Sequence, residues 1–252
     1  MEEIEEERII KSKKRVQKHG EVFTPKKTVN LMLDMPGVKA ACEDIITTFL
    51  EPAAGEGAFL VEVLNRKLAM ISEKYNENIE KYENYALLGL STLYGIELLE
   101  DNAKTCAMNL YEVFNEYYKE QLQKHEAYLN QKVRDSAKTI ISQNIVQGDF
   151  LTRLAPDGNP IYFSEWKPLA LKKGQVKIKV NRTEYTLEEI LSGKKKPVGE
   201  VYSYEPEPEQ LDIFSIFDES EDGVAPAKRA MRYIPVNITE VYKEEMEEAD
   251  ES

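Results

Sequence analysis

Residues 50–64 read Leu50-Glu51-Pro52-Ala53-Ala54-Gly55-Glu56-Gly57-Ala58-Phe59-Leu60-Val61-Glu62-Val63-Leu64. Just upstream, Ile45, Ile46, Phe49 and Leu50 make a short apolar run that stops at Glu51. Beyond the two glycines, Leu60, Val63, Leu64, Leu68 and Ile71 recur at helical spacing. An apolar run, a glycine turn and an amphipathic stretch predict the strand–turn–helix unit of an open α/β sheet. A ligand in such a unit sits against the helix N-terminus. Glycine supplies the positive φ and the missing Cβ that let a ligand approach the backbone. By itself the turn names no ligand.

Two more runs share the pattern. Leu93-Tyr94-Gly95-Ile96-Glu97 ends in a carboxylate, and Ile140 to Asp149 reads as a strand in which Ile145 and Val146 lead to Gly148-Asp149-Phe150. Strand C-termini share one edge of a parallel sheet, and ligands bind there. Any one of Glu51, Glu97 and Asp149 is as readily a helix cap. All three on one edge, beside a glycine turn, predict a site that binds hydroxyls or an amine through charge-assisted hydrogen bonds. Four or more parallel strands are expected within the first 150 residues. Residues 65–86 read as polar helix with Tyr75 and Tyr82 turned inward. A second helix, from about Glu100 to Lys124, carries Ala103, Ala107, Leu110, Tyr111, Phe114 and Tyr118 as a packing stripe.

The 252 residues, 42% of them hydrophobic, hold one α/β domain with appendages. No apolar run approaches the roughly 18 residues of a membrane span, and the N-terminus lacks the apolar core of a secretory signal. Cys42 and Cys106, with two histidines, have no zinc-site spacing, so no metal is expected and the default setting is reducing and cytoplasmic. A net charge of −13 argues against a protein that coats nucleic acid. Basic residues nonetheless cluster at Lys11, Lys13, Lys14, Arg15, Lys18, Lys26 and Lys27, and at Lys194–Lys196.

Residues 1–18 read as a charged arm, solvated or docked. His19-Gly20-Glu21-Val22-Phe23-Thr24-Pro25 follows, and Pro25 biases Thr24 away from helix. Its plain reading is a loop with a threonine N-cap before a helix bearing Val29, Met32 and Leu33. After residue 152, Asp157-Gly158-Asn159-Pro160 is a turn. Val176 to Val180 alternates as a strand, and Asn181-Arg182 reads as a hairpin turn into Thr183–Thr186. Leu187–Leu191 is a short helix ended by Gly193. Residues 203–226, rich in Pro, Glu, Asp and Ser, read as linker. Tyr233-Ile234-Pro235-Val236 then precedes an acidic tail from Glu240.

Taken together, these segments resemble the S-adenosylmethionine-dependent DNA adenine-N6 methyltransferases, in the γ-type motif order. Gly20-Glu21-Val22-Phe23-Thr24-Pro25 fits the family's leading Gly-x-Phe-Tyr/Thr-Pro segment. Glu51-Pro52-Ala53-Ala54-Gly55-Glu56-Gly57-Ala58-Phe59-Leu60 fits its Asp-Pro-Ala-Cys-Gly-Ser-Gly-x-Phe-Leu. Tyr94-Gly95-Ile96-Glu97 and Gly148-Asp149-Phe150-Leu151 fit its second and third acidic motifs, so the likeness runs from residue 19 to about 152.

The resemblance implies a Rossmann-like class I methyltransferase sheet, which need not be complete, over residues 19–155. A small β-containing appendage over 156–202 and an acidic, partly flexible tail over 203–252 complete the expected organisation. It implies S-adenosyl-L-methionine as cofactor. Glu97 would accept from the ribose hydroxyls and Asp149 from the adenine amine, with Ile96 and Phe150 sandwiching the ring. Pro52, Ala53, Gly55 and Gly57 would run close to the methionine moiety, Glu51 would meet its ammonium, and Phe23 and Thr24 would close over that end. It also implies DNA as partner.

One departure stands out. The family carries Asn/Asp-Pro-Pro-Tyr/Phe at the end of a fourth strand, where the amide and a proline carbonyl hold the target amine and the ring stacks on the flipped base. Here the nearest string is Asn159-Pro160-Ile161-Tyr162. It reads either as a hairpin turn or as a variant catalytic motif of Asn159, Pro160 and Tyr162, and Trp166 offers a further ring for a base. The chain after residue 152 is short for the family's remaining sheet and a target-recognition domain, so specificity is expected from a protein partner. The sequence thus supports a DNA methyltransferase or methyltransferase subunit of a restriction-modification or phage-related system. The alternative is a catalytically inactive, methyltransferase-like binding protein in a defence or anti-restriction complex.

Overall fold

The computed structural model describes residues 11–202 and 231–249. Helices α1 (Lys13–His19), α2 (Lys26–Leu33) and α3 (Pro36–Cys42) precede β1 (Phe49–Glu51). Then come α4 (Ala58–Lys74), α5 (Ile79–Leu90), β2 (Leu93–Glu97), α6 (Glu100–Lys124), α7 (Gln131–Asn144) and β3 (Ile145–Gln147). The three strands form a parallel sheet in the order β1-β2-β3, with Phe49 opposite Leu93 and Gly95 opposite Ile145. Parallel neighbours need long crossovers, and a helix pair supplies each one.

Local chemistry sets these boundaries. Asn78 and Asn130 cap α5 and α7, their side chains accepting the N–H of Lys81 at 2.9 Å and of Lys132 at 3.2 Å. Asn78 therefore divides the run 65–86 into two helices. Glu100 and Asp101 in the first turn of α6 and Lys124 in its last complement the helix dipole. Leu60, Leu64, Leu68 and Ile71 of α4 pack with Leu87, Phe114, Tyr118, Val133 and Ile140 in one core, each large side chain contributing about 2 kcal/mol of burial. Tyr82 is buried as expected, while Tyr75 is half-buried and stacks on Tyr85 at 4.1 Å. Buried Lys67 lies in the α4 stripe, its Nζ donating to the carbonyls of Asp44 at 2.7 Å and Thr47 at 3.0 Å. It ties down the chain entering β1, and burial lowers its pKa to about 8.

The sheet is smaller than the sequence leads one to expect. Three parallel strands, not four or more, occur among the described residues. Helix α7 runs to Asn144 and leaves β3 only three residues, because Ile140 and Ile141 serve the buried face of the helix. The chain then turns through Asp149–Pro160 into β4 (Tyr162–Pro168) and β5 (Lys179–Thr186), an antiparallel pair. Asn181-Arg182 is no turn: Arg182 lies opposite Trp166 within β5. Its buried guanidinium donates to Ser164 Oγ and to Glu184, each at 2.9 Å, which admits a polar pair to a strand interior. Helix α8 (Leu187–Ser192) has a full capping box from Thr186 and Glu189 and ends on left-handed Gly193.

Residues 203–230, which include the expected linker 203–226, lie outside the described residues. Beyond them, β6 (Met231–Tyr233) pairs with β8 (Met246–Glu248), and β7 (Val236–Asn237) pairs with β5. A 3-10 helix over Ile238–Lys243 packs on α7, with Ile238 and Val241 buried. The expected acidic tail from Glu240 is therefore structured to Glu248, because those two apolar side chains anchor it. No helix among the described residues is long and apolar enough to cross a membrane.

Candidate functional site

The C-terminal ends of β1 and β2 meet at the turn 52–57. Half-buried Glu51 accepts the Ala53 N–H at 3.3 Å, and burial pushes its carboxyl above the usual range. Buried Glu97 accepts the Gly55 N–H on Oε2 at 2.8 Å and the Leu99 N–H on Oε1 at 3.0 Å, which fastens the turn to β2. A carboxylate has about four lone-pair sites, so Glu97 keeps acceptor capacity after these bonds. Gly55 and Gly57 sit at φ 56° and 89°. A Cβ on Gly57 would come within 2.8 Å of Cys106 Sγ, so α6 can close on the turn only at a glycine.

A cavity of about 590 Å³ opens beside this turn. Phe23, Thr24, Glu51, Ala53 and Gly55 line it, together with Glu56, Asn109, Glu112 and Glu116. Among its described lining residues four are acids and none is basic. Phe23 packs beside the turn, with Cδ1 3.9 Å from where a Gly55 Cβ would be. Thr24 does not cap α2; Pro25 occupies the N-cap position and no side chain bonds there.

The arm is docked, not solvated, from residue 11 on. Lys11 pairs with Glu56 at 2.7 Å and Asp101 at 3.2 Å, and Arg15 pairs with Asp101 at 2.9 Å and also with Glu21. Arg15 first, then Lys11, hold the Asp101 carboxyl down at about 2. Asn102 ties the arm inward, donating to Glu21 at 2.7 Å.

Other expected residues fall elsewhere. Pro52 is exposed in the turn. Ile96 is fully buried against Ile161, Phe163 and Leu187, a cluster on which Phe150 also rests, so Ile96 has no surface left for a ligand. Asp149 spends Oδ1 on the Leu151 N–H at 2.8 Å. Asn159 forms a turn with Asp157, donating its side-chain amide at 2.8 Å and its backbone N–H at 3.0 Å. Tyr162 stacks on Tyr202 at 5.0 Å, and with Asn159 and Pro160 it borders a separate cavity of about 360 Å³ beside Val146 and Gln147. That cavity adjoins β3, two strands or roughly 10 Å of sheet from β1. Trp166 is buried, its Nε1 donating to Asn144 Oδ1 at 3.2 Å, and offers no ring to a base.

The structure thus gathers Phe23, Thr24, Glu51, Ala53 and Gly55 around one cavity with Glu97 behind the turn, and sets Asn159, Pro160 and Tyr162 apart. The sequence reading missed Asn109, Glu112 and Glu116. Their helical spacing on α6 was a usable signal, hidden because charged helix faces are usually solvated. A family model for N-6 DNA methylases matches residues 7–149. No curated protein and no solved structure matches the chain.

Proposed function

The chain belongs to the N-6 DNA methylase family, and from that premise we propose that it binds S-adenosyl-L-methionine beside β1 and serves adenine-N6 methylation of DNA. It would act as a methyltransferase or methyltransferase subunit of a restriction-modification or phage-related system. The observation that carries this reading is Glu51, a half-buried carboxylate with no ion pair among the described residues, at an acidic cavity. The cofactor is cationic at its ammonium and at its sulfonium. Burial without a countercharge is what raises Glu51, and a bound cation reverses that cost. A volume of about 590 Å³ is ordinary for a cofactor pocket.

When bound, the cofactor supplies an electrophilic methyl group. Glu51 would take its ammonium and Glu97 the ribose hydroxyls. Phe23 and Thr24 would cover the methionine end, the turn from Pro52 to Gly57 would run beneath it, and Asp149 and Phe150 would meet the adenine end. Residues 19–155 form the proposed cofactor-binding unit, with residues 156–202 as its appendage. Calorimetric titration with S-adenosylmethionine and its demethylated product tests this. Both bind the wild-type chain, and Glu97→Ala abolishes the heat while the fold, read by circular dichroism, persists. A wild-type chain that gives no heat overturns the reading.

A second reading, a catalytically inactive binding protein in a defence or anti-restriction complex, draws support from the position of Asn159-Pro160-Ile161-Tyr162 across β3 from Glu51. A net charge of −13 suits a chain that presents carboxylates to a basic partner where phosphates would lie. Transfer of tritium from labelled cofactor to DNA separates the two. Label in DNA selects the enzyme; intact cofactor binding without label selects the binding protein.

A further inference from the structure

Asn102, buried in the first turn of α6, lies between the arm and the end of β2. Its side-chain nitrogen donates to Glu21 Oε1 at 2.7 Å and reaches Glu97 Oε1 at 3.5 Å. Its oxygen accepts from Lys11 Nζ and, at 3.4 Å, from Arg15. A primary amide offers two N–H donors and an oxygen with two lone pairs, so all four places are taken. The orientation is determined too, since a reversed amide would set its oxygen against two carboxylates and its nitrogen against two cations.

Two like charges share that nitrogen. The Glu21 side chain is 7% exposed and Glu97 is 8% exposed, so water screens their repulsion poorly. The arm offsets it. Arg15 donates to Glu21 Oε1 at 3.0 Å and also to Oε2, the two-point contact that a guanidinium fork makes with a carboxylate. Lys11 pairs with Glu56 in the turn 52–57 at 2.7 Å and stands 5.9 Å from the centre of the Phe23 ring. One run of contacts therefore leads from Arg15 through Glu21 and Asn102 to Glu97.

Resting on the cofactor reading above, we infer that Asn102 is a positioning residue for Glu97, and that the docked arm sets Asn102 through Glu21. A pair of ribose hydroxyls needs both carboxylate oxygens held in place, and a loosely supported group forfeits affinity. The Gly55 N–H holds Oε2 and the Leu99 N–H holds Oε1. Asn102 adds a third donor from a helix, which limits how far the carboxylate can turn when hydroxyls approach. Being buried, Asn102 acts only through Glu97. Without Arg15 the Glu21 carboxylate loses its countercharge, and the amide loses the partner that orients it.

The test is calorimetric. The full chain is titrated with S-adenosylmethionine and with its 2′,3′-dideoxy analogue, which lacks both ribose hydroxyls. The wild-type chain prefers S-adenosylmethionine. Asn102→Ala lowers affinity for S-adenosylmethionine about tenfold, as loss of a hydrogen bond to a charged group does, and changes affinity for the analogue less than about twofold. Arg15→Gln, at a partly exposed side chain, acts in the same direction with a loss of about threefold. It decides alone should Asn102→Ala not fold. A purely structural role weakens both ligands alike, because the analogue uses the same pocket without the hydroxyls. Three results overturn the inference while cofactor binding stands: equal losses for both ligands, no loss for either, or a wild-type chain that binds the two equally. A wild-type chain that gives no heat with either ligand removes the reading and the inference together.

Discussion

Glu51 and Glu97 in the first half of the chain are held in the opposite way from Glu184 and Glu189 in the second. In residues 11–150, Glu51 is half-buried with one backbone N–H as partner, and buried Glu97 accepts from backbone N–H groups and, at 3.5 Å, from Asn102. In residues 151–249, buried Glu184 accepts from the Arg182 guanidinium at 2.9 Å, the Tyr233 hydroxyl at 2.9 Å and the Tyr202 N–H at 2.7 Å, so a cation matches its charge. Burial would push Glu189 up too, but Lys194, the Thr186 N–H and Lys196 hold it at about 2. An acid surrounded by cations holds the fold together. Glu51 has no cation and one backbone N–H, so at the edge of its cavity its charge is still to be matched.

The largest effect expected is structural. Arg182→Leu strands the Glu184 carboxylate in the antiparallel half, and removing one partner of a buried pair costs about 3 kcal/mol. Urea denaturation reads that loss, while cofactor affinity stays at the wild-type value. A loss of affinity equal to the loss of stability would erase the distinction between the halves.

Glu51→Gln inverts the pattern. A hydrogen bond to a charged group is worth about 2 kcal/mol, or roughly 30-fold in affinity. S-adenosylmethionine binding weakens by that factor in calorimetry, and the urea midpoint holds or rises, because an uncompensated buried charge has been removed.

The smallest effect is the order of events on acidification. Glu51 is raised above its ordinary 4.5, so it neutralises before Glu189 as pH falls, and cofactor affinity starts to drop on acidification while the pH is still above 4.5. Its folded value exceeds the unfolded one, so its ionisation burdens the fold at neutral pH and protonation relieves that burden. Glu189 has the opposite sign. Its folded value of about 2 lies below the unfolded one, so its stabilisation is complete above pH 4.5 and is lost between there and about 2. Parallel titrations of affinity and melting temperature from pH 7 to 3 check the order, and a melting temperature that falls before affinity does would refute it.

The edge formed by the ends of β1 and β2 was legible because its geometry is local. Leu93 to Glu97 and Glu100 to Lys124 have the observed boundaries, since strand alternation, acidic ends and helix stripes are written within a few residues. The antiparallel half was not. Arg182 looks like a turn residue until the strand register sets it opposite Trp166 and the exposed carboxylate of Glu244, 62 positions on, accepts from its guanidinium. The number of parallel strands also escaped, because Ile140 and Ile141 suit a buried helix face as well as a strand. Whether Trp166 faced solvent or core hinged on Asn144, a distant partner that periodicity does not disclose.

The docked arm is held by a short tether and by surface charge. Pro25 is already fixed at the start of α2, so seating Lys11 and Arg15 closes a tether of roughly ten residues, a modest entropic cost. What holds it down is polar: ion pairs to Glu56, Asp101 and Glu21 at partly exposed positions, each worth little alone. The arm beside Phe23 is therefore expected to detach at lower cost than the leucine core of α4 unfolds. Added salt, which shortens the reach of those few charges, is therefore expected to release the arm before it loosens the fold.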